Sequence, residues 1–214
     1  MGSILSLLFK HYNVVGMVGN RNVGKSSLVL SSLVELKAEQ PNIPICVFGV
    51  EENLKEFLVN KGFVWLYSQH DILDMRVRDS VIFVDEVADF FSTQTRDKET
   101  KKFKRFINRI SHLNNHMLFS TAEVSWWNKF ACSLVDCFLV KRVDFDNLVN
   151  GTWLKQRVLG LENSSDYRLD IKNNEYFVVS DFMTDKLTFE YVRELDSKRD
   201  LSNPFVEKSE LKSD

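Results

Sequence analysis

Long apolar runs and paired cysteines are both missing from this 214-residue sequence. No stretch approaches the roughly 18 consecutive apolar residues that a membrane-spanning helix needs, so we expect no transmembrane segment. The three cysteines, Cys46, Cys132 and Cys137, form neither an even set nor a CxxC pair. This pattern favours buried core residues in a reducing compartment over a disulfide framework. The first residues also lack the basic start and the cleavage site of a signal peptide.

An excess of one charge is missing as well, because 28 basic and 30 acidic residues leave a formal net charge of −2. This balance provides no general attraction to nucleic acid or membranes, so any such contact needs a local basic patch. The four histidines have no metal-ligand spacing, and we assign them no role. Gly2 and Ser6 match the loose pattern for N-myristoylation, but we favour an apolar amino-terminal segment that packs on the domain.

Strand and helix patterns alternate over the first two thirds of the chain, which indicates a mainly parallel sheet with helices on both faces. The expected strands are 13–18, 45–50, 80–86, 116–121 and 137–142, and the longer helices are 25–38 and 97–112. Further along, the pattern predicts two antiparallel hairpins with turns centred at Asn173-Asn174 and Thr184-Asp185. Our domain assignment is one domain over 1–192, with an amino-terminal segment (1–12) and a hairpin extension (165–192), and a polar, disordered tail over 193–214.

A glycine-rich loop joins the first predicted strand to the first predicted helix. Its sequence, GNRNVGKS, is the GxxxxGKS phosphate-binding motif known as Walker A. In such a loop the backbone N–H groups converge on phosphates at the amino terminus of the helix. We expect Lys25 to reach the β- and γ-phosphates, Ser26 to hold Mg²⁺ and Ser27 to reach the α-phosphate. The predicted nucleotide-binding residues are Gly19, Asn20, Arg21, Asn22, Val23, Gly24, Lys25, Ser26 and Ser27.

Two carboxylates, Asp85 and Glu86, follow the apolar strand sequence VIFV, and together with it they form a Walker B motif. A buried strand delivers such residues to the edge of the sheet where the phosphates lie. We predict that Asp85 binds Mg²⁺ and that Glu86 is the general base that activates the attacking water. The pair argues against a GTPase, because DEVA stands where Asp-x-x-Gly is required. The guanine-reading Asn-Lys-x-Asp is also missing, since Asn128-Lys129 is followed by Phe-Ala.

Two more elements carry candidate catalytic groups. The strand sequence HMLFST ends in Ser120 and Thr121, which either contact the γ-phosphate or the attacking water, or cap an ordinary strand end. The helix predicted over 97–112 combines an apolar face with a basic one. That basic face is either solvated, or supplies an arginine finger to a neighbouring subunit and contacts to a nucleic-acid backbone. Its members are Lys98, Lys101, Lys102, Arg105 and Arg109.

With these residues in order, the sequence resembles the FtsK–HerA superfamily, and within it the small genome-packaging ATPases of membrane-containing icosahedral viruses. The resemblance covers about residues 13–192 and rests on several features beyond the two Walker motifs. These are Asn108-Arg109 before the sensor strand, the strand VDCFLVKR with its acidic start and basic end, and a final apolar hairpin. One position departs from the family, because Ala122 stands where the sensor strand has glutamine, which moves the sensor role to Thr121.

The resemblance implies a three-layer α/β fold of the RecA-like, additional-strand type, and an enzyme that hydrolyses ATP with Mg²⁺. It also implies a homo-oligomeric ring of roughly five or six subunits that moves double-stranded DNA. The catalytic set would be Lys25, Glu86, Thr121 and, in trans, Arg109, with Arg105 as the second choice. Such a motor works in the host cytoplasm or on the virion, with a partner at a capsid vertex or in the viral membrane. The candidates for DNA contact are loop 92–102 and Lys129. Trp126 and Trp127 either stack on nucleic-acid bases or pack in an interface or the core.

Other classes remain open at this point. A close alternative is a cellular relative that works in DNA segregation or repair. A nucleotide or nucleoside kinase also has a P-loop on a parallel sheet, and its arginine-rich lid would be sought in 92–105. A third class uses ATP only for assembly, as in phage morphogenesis proteins. Glu86 beside Asp85 fits water activation better than phosphate transfer to another acceptor. The intact set of Lys25, Ser26, Asp85 and Glu86 argues against a site that does not hydrolyse.

Overall fold

Eight strands and five α-helices are present in the residues that the computed structural model describes, which are 3–20, 24–73, 78–87, 97–122, 134–141, 175–180 and 184–188. The strands are β1 Val14–Gly19, β2 Ile45–Phe48, β3 Val64–Trp65, β4 Val81–Val84, β5 His116–Thr121, β6 Cys137–Lys141, β7 Glu175–Ser180 and β8 Thr184–Thr188. The helices are α1 Ile4–Leu8, α2 Lys25–Glu39, α3 Lys55–Asn60, α4 Gln69–Leu73 and α5 Asp97–Ile110, with short 3₁₀ turns at Glu52–Leu54 and Ser111–Leu113. None of these helices has the length and apolar composition that a membrane crossing requires.

The strands form a single sheet in the order β3-β2-β4-β5-β1-β6-β7-β8. Every pairing from β3 to β6 is parallel, and β7 and β8 add antiparallel strands at one edge. Strand β5 therefore lies between β1, which leads into the P-loop, and β4, which ends at Asp85. This inserted strand is the feature that distinguishes the additional-strand class, so the predicted fold class is confirmed.

The sheet has an apolar core on each face, as alternating side chains in parallel strands require. In β1, Val14 and Val18 pack in the cluster that contains Phe106 and Ile110 of α5. Val15 and Met17 face the other way, into the cluster formed by α2 and α3. The result is three layers, with α2 and α3 on one face and α5 on the other.

The amino-terminal segment packs on the second of these cores. Leu5 and Leu8 of α1 are buried there, beside the apolar face of α2. Ser3 caps the helix by accepting the N–H of Ser6 at 3.2 Å. The interpretation of this segment as a packed part of the fold is therefore confirmed.

The turn predicted at Thr184-Asp185 is wrong. Both residues lie in β8, where Thr184 pairs with Val179 and Asp185 with Val178 of β7. Local turn preference was outweighed by the pairing of the two strands. The hairpin centred at Asn173-Asn174 and the tail 193–214 lie outside the described residues.

Candidate functional site

The P-loop begins at the carboxyl end of β1, at the edge of the sheet where parallel strands deliver their functional groups. Gly19 is the last residue of β1, and Gly24 precedes α2 with a left-handed backbone (φ 82°). Lys25, the first residue of α2, is only 5% exposed, and its ammonium group donates to the Asn20 carbonyl oxygen at 2.9 Å. The lysine side chain thus reaches back to Asn20, at the start of the loop. Ser27 is buried in the first turn of α2, and Arg21, Asn22 and Val23 lie outside the described residues.

Ser26 and Asp85, both predicted to hold Mg²⁺, are brought together although 59 positions separate them in sequence. The Ser26 hydroxyl donates to Oδ1 of Asp85 at 2.8 Å. Asp85 is 8% exposed and lies at the end of β4, where its own N–H donates to the Phe48 carbonyl of β2. The contact joins the start of α2 to the end of β4 across the intervening strand β5.

Ser120, at the end of β5, fills the position between these two elements. Its buried hydroxyl donates to the same Oδ1 atom of Asp85 that Ser26 contacts. We predicted contact with the γ-phosphate or the attacking water for Ser120 and Thr121. In the structure Ser120 is turned toward the Asp85 carboxylate. Thr121 is fully buried beside it, and its sensor role stays a prediction.

Glu86 is exposed at the edge of the sheet and has a left-handed backbone (φ 47°), which is uncommon for a residue with a Cβ. Its N–H donates to the Ser120 hydroxyl at 3.5 Å, and the N–H of Val87 donates to the Ser120 carbonyl at 3.1 Å. Val87 is fully buried. The general-base candidate is thus a solvent-facing carboxylate between two anchored residues.

The donor set at this edge suits Mg²⁺. Magnesium in proteins takes one or two carboxylates together with substrate phosphates and water, rather than a cage of protein ligands. Ser26 and Asp85 supply one hydroxyl and one carboxylate, both hard oxygen donors, next to the phosphate-binding loop. Among the described residues there is no group of three or more His, Cys, Asp or Glu side chains that would hold a metal without phosphate.

Arg109 is not part of this cluster in its own chain. It is exposed in the last turn of α5, and α5 leads into the start of β5. The 3₁₀ turn that follows α5 lies beside the segment just before β4, since the Asp79 N–H donates to the Leu113 carbonyl at 3.1 Å. Arg109 therefore lies toward the amino-terminal edge of the sheet, opposite the P-loop. In its own chain, Arg109 is therefore not placed to contact a phosphate bound at the P-loop.

The other candidates for DNA contact are described only in part. Lys101, Lys102 and Arg105 are exposed on α5, as the amphipathic pattern predicts. Lys129, Trp126, Trp127 and the loop 92–96 lie outside the described residues.

Sequence reasoning missed two contacts that organise the edges of the sheet. Asp136, just before β6, accepts the N–H groups of Asn13 and Val14, each at 2.9 Å, and so ties the starts of β1 and β6 together. The acidic residue that opens VDCFLVKR was the available signal for this role. Gly49, after β2, lies against the backbone of Asp85, and no local pattern in the sequence marks that approach.

The strand order and the Ser26–Asp85 contact together define the additional-strand class of P-loop NTPases. No family model matches the sequence, and no curated protein matches it. Solved structures do match. The genome packaging NTPase B204 from Sulfolobus turreted icosahedral virus 2, in complex with AMPPCP, is 13% identical with a TM-score of 0.61, over 84% of this chain and 98% of that one. Further structures of B204 hold AMP and ATP-gammaS.

Two further solved structures have a similar fold. The pCW3 conjugation coupling protein TcpA is 13% identical with a TM-score of 0.57, over 89% of this chain and 65% of that one. EssC (ATPases 2 and 3) from Geobacillus thermodenitrificans is 11% identical with a TM-score of 0.58, over 88% of this chain and 44% of that one. These solved structures share the fold that the resemblance implied for this chain.

Proposed function

We propose that the chain is a Mg²⁺-dependent ATPase whose active site is the cluster around the P-loop. One observation carries this proposal, the hydrogen bond from Ser26 to Asp85 that joins the two Walker motifs. A GKS sequence that occurred by chance would not be expected to contact a carboxylate from β4, which lies two places from β1 in the sheet. The nucleotides bound to B204, a protein of the same fold, support the same conclusion.

The roles of the side chains follow from their positions. Lys25 neutralises charge on the β- and γ-phosphates, while the N–H groups at the start of α2 donate hydrogen bonds to the phosphate oxygens. Ser26 and Asp85 would hold Mg²⁺, which would supply charge neutralisation at the phosphates. Glu86, which faces solvent beside Asp85, orients the attacking water and accepts its proton. Glu86 directly follows Asp85 and is exposed to solvent, which supports its assignment as the base.

We further propose that hydrolysis drives the movement of double-stranded DNA through a homo-oligomeric ring, in the packaging of a viral genome. Three supports are the fold shared with B204, the exposed basic face of α5, and the position of Arg109 away from its own P-loop. Arg109 then completes the site of a neighbouring subunit. The place of action would be the host cytoplasm or the virion, with a capsid-vertex or membrane protein as the docking partner.

The test is steady-state ATP turnover by the purified protein, with and without double-stranded DNA, over a range of protein concentrations. Turnover that rises with both DNA and protein concentration is expected for a shared-site ring. If DNA does not change turnover, the ATPase activity stands but the proposed DNA translocation is refuted. A kinase or an assembly ATPase would then be favoured. Glu86→Gln should retain ATP binding and lose at least about 100-fold in turnover, because the base is gone and the phosphate contacts remain.

A mixing experiment tests the role of Arg109 in trans. Arg109→Ala and Lys25→Ala subunits should each be inactive alone. Mixed rings should recover part of the turnover, because some interfaces combine an intact P-loop with an intact arginine. Absence of recovery at every mixing ratio would contradict a shared site.

A further inference from the structure

The turn that carries Asp85 and Glu86 is held from both sides by neighbouring strands. On the β2 side, Asp85 donates its N–H to the Phe48 carbonyl, and Gly49 lies directly against the Asp85 backbone. On the β5 side, the Ser120 hydroxyl contacts the Asp85 carboxylate and receives the N–H of Glu86. The Ser120 carbonyl then receives the N–H of Val87. The residues before and after Glu86 are therefore both fixed.

Gly49 is required by this arrangement for two reasons. Its backbone is left-handed (φ 75°), which favours glycine. A Cβ added there would lie 2.5 Å from the Asp85 carbonyl oxygen, and backbone cannot move aside as a flexible side chain can. Any larger residue at Gly49 must therefore displace the turn itself.

We propose that Gly49 and Ser120 are positioning residues, which together hold the left-handed backbone of Glu86 and so fix the direction of its carboxylate. This inference rests on the proposed ATPase activity, in which Glu86 activates water. A left-handed backbone at a non-glycine residue is unfavourable and persists only where its surroundings impose it. The four hydrogen bonds and the close approach of Gly49 are those surroundings.

The fold offers a matched control for each residue. Ser80, fully buried like Ser120, also bridges β4 and β5, but at the opposite edge of the sheet, where its hydroxyl donates to Asn115 at 3.0 Å. Gly62 has the same left-handed backbone as Gly49 (φ 82°), but a Cβ there would meet only the end of the Lys37 side chain, at 3.2 Å. The control variants Ser80→Ala and Gly62→Ala therefore reproduce the loss of a buried hydroxyl and the backbone strain, away from the site.

The experiment compares kcat, KM and the binding of a non-hydrolysable ATP analogue in the four variants. Ser120→Ala and Gly49→Ala should lower kcat by roughly 10- to 100-fold, because a misplacement on the order of 1 Å has that effect. Analogue binding should stay within about threefold of wild type, since the P-loop contacts are untouched. Ser80→Ala should lower the melting temperature about as much as Ser120→Ala does, and Gly62→Ala about as much as Gly49→Ala does. Both controls should leave kcat unchanged. If kcat falls no further in Ser120→Ala than in Ser80→Ala, the positioning role is refuted, even if Gly49→Ala does not fold.

Amide hydrogen exchange provides a readout that does not depend on turnover. Exchange at Glu86 and Val87 should accelerate in Ser120→Ala and not in Ser80→Ala, because only the first loosens this turn. If the exchange rates of Glu86 and Val87 in Ser120→Ala equal those of wild type, the proposal that Ser120 holds this turn is refuted, even in a fully active enzyme. If the wild-type chain does not turn over ATP, the proposed function is refuted instead. The exchange rates would still show whether Ser120 holds the turn.

Discussion

Gly16, in the middle of β1, allows a quantitative test of how the central strands pack. Its register partners are Phe119 in β5 and Phe138 in β6. A Cβ at Gly16 would lie 2.8 Å from both Cδ1 and Cε1 of Phe138 and 3.0 Å from Cε2 of Phe119. Both rings are fully buried and therefore have little room to move away.

We expect Gly16→Ala to lower the free energy of unfolding by about 1–3 kcal/mol, the usual effect of overpacking a filled core. For a chain of this size, each kcal/mol lowers the melting temperature by about 2–4 °C, so the expected decrease is roughly 2–12 °C. Urea and thermal unfolding followed by circular dichroism measure both quantities.

A double-mutant cycle separates this clash from a general cost of substitution. Phe138→Leu alone should destabilise on the order of 1 kcal/mol, because it leaves space in the core. In the Gly16→Ala background the same change should be neutral or stabilising, since the leucine makes room for the new methyl group. The coupling should be about 1 kcal/mol or more. Additive effects, or a Gly16→Ala chain within about 0.5 kcal/mol of wild type, would refute the packing argument.

Three further predictions concern groups outside the site. Burial lowers the pKa of His116, so the neutral ring is favoured on folding, and its stabilisation is present above the ordinary value of 6.5 and lost as pH falls through the lowered pKa. His116→Gln should flatten the fall in melting temperature over that range, and an unchanged pH profile would contradict this. Burial raises the pKa of the Cys46 thiol to about 11 and that of Cys137 to about 12, so a Cys132→Ser chain should react with a thiol reagent at pH 8 only as fast as it unfolds. Asp136→Ala should lower the unfolding free energy by about 1–2 kcal/mol in urea titrations, because two backbone N–H groups lose their acceptor; a loss below about 0.3 kcal/mol would mean that water replaces it.

The sequence was sufficient to predict most of the parallel sheet, because its strands are short apolar runs separated by helical periodicity. Strand β5 was predicted with its observed bounds, His116–Thr121. The Thr184-Asp185 turn was wrong, since pairing of β7 with β8 outweighed a local turn preference.

The candidate site was predictable where chemistry is encoded in a motif. Lys25, Ser26, Asp85 and Glu86 follow from residue type, spacing and the position of strand ends. The partner of Ser120 was not predictable in the same way, because it depends on β5 lying beside β4, and strand order is a property of the assembled sheet. Gly49 was missed for the same reason, since the backbone that it approaches is 36 positions further along the chain.

The serine bridges at the two ends of the β4–β5 pair have a consequence for how the sheet finds its register. Between the bridges, β4 consists only of Val81, Ile82, Phe83 and Val84, all fully buried. Such a strand has no polar alternation, and sliding it along its neighbour would still bury apolar side chains, so hydrophobicity specifies its alignment weakly. The contacts of Ser80 with Asn115 and of Ser120 with Asp85 are both satisfied in one alignment and both lost in its neighbours. The polar ends of these strands thus select a single alignment for an apolar middle that would tolerate several.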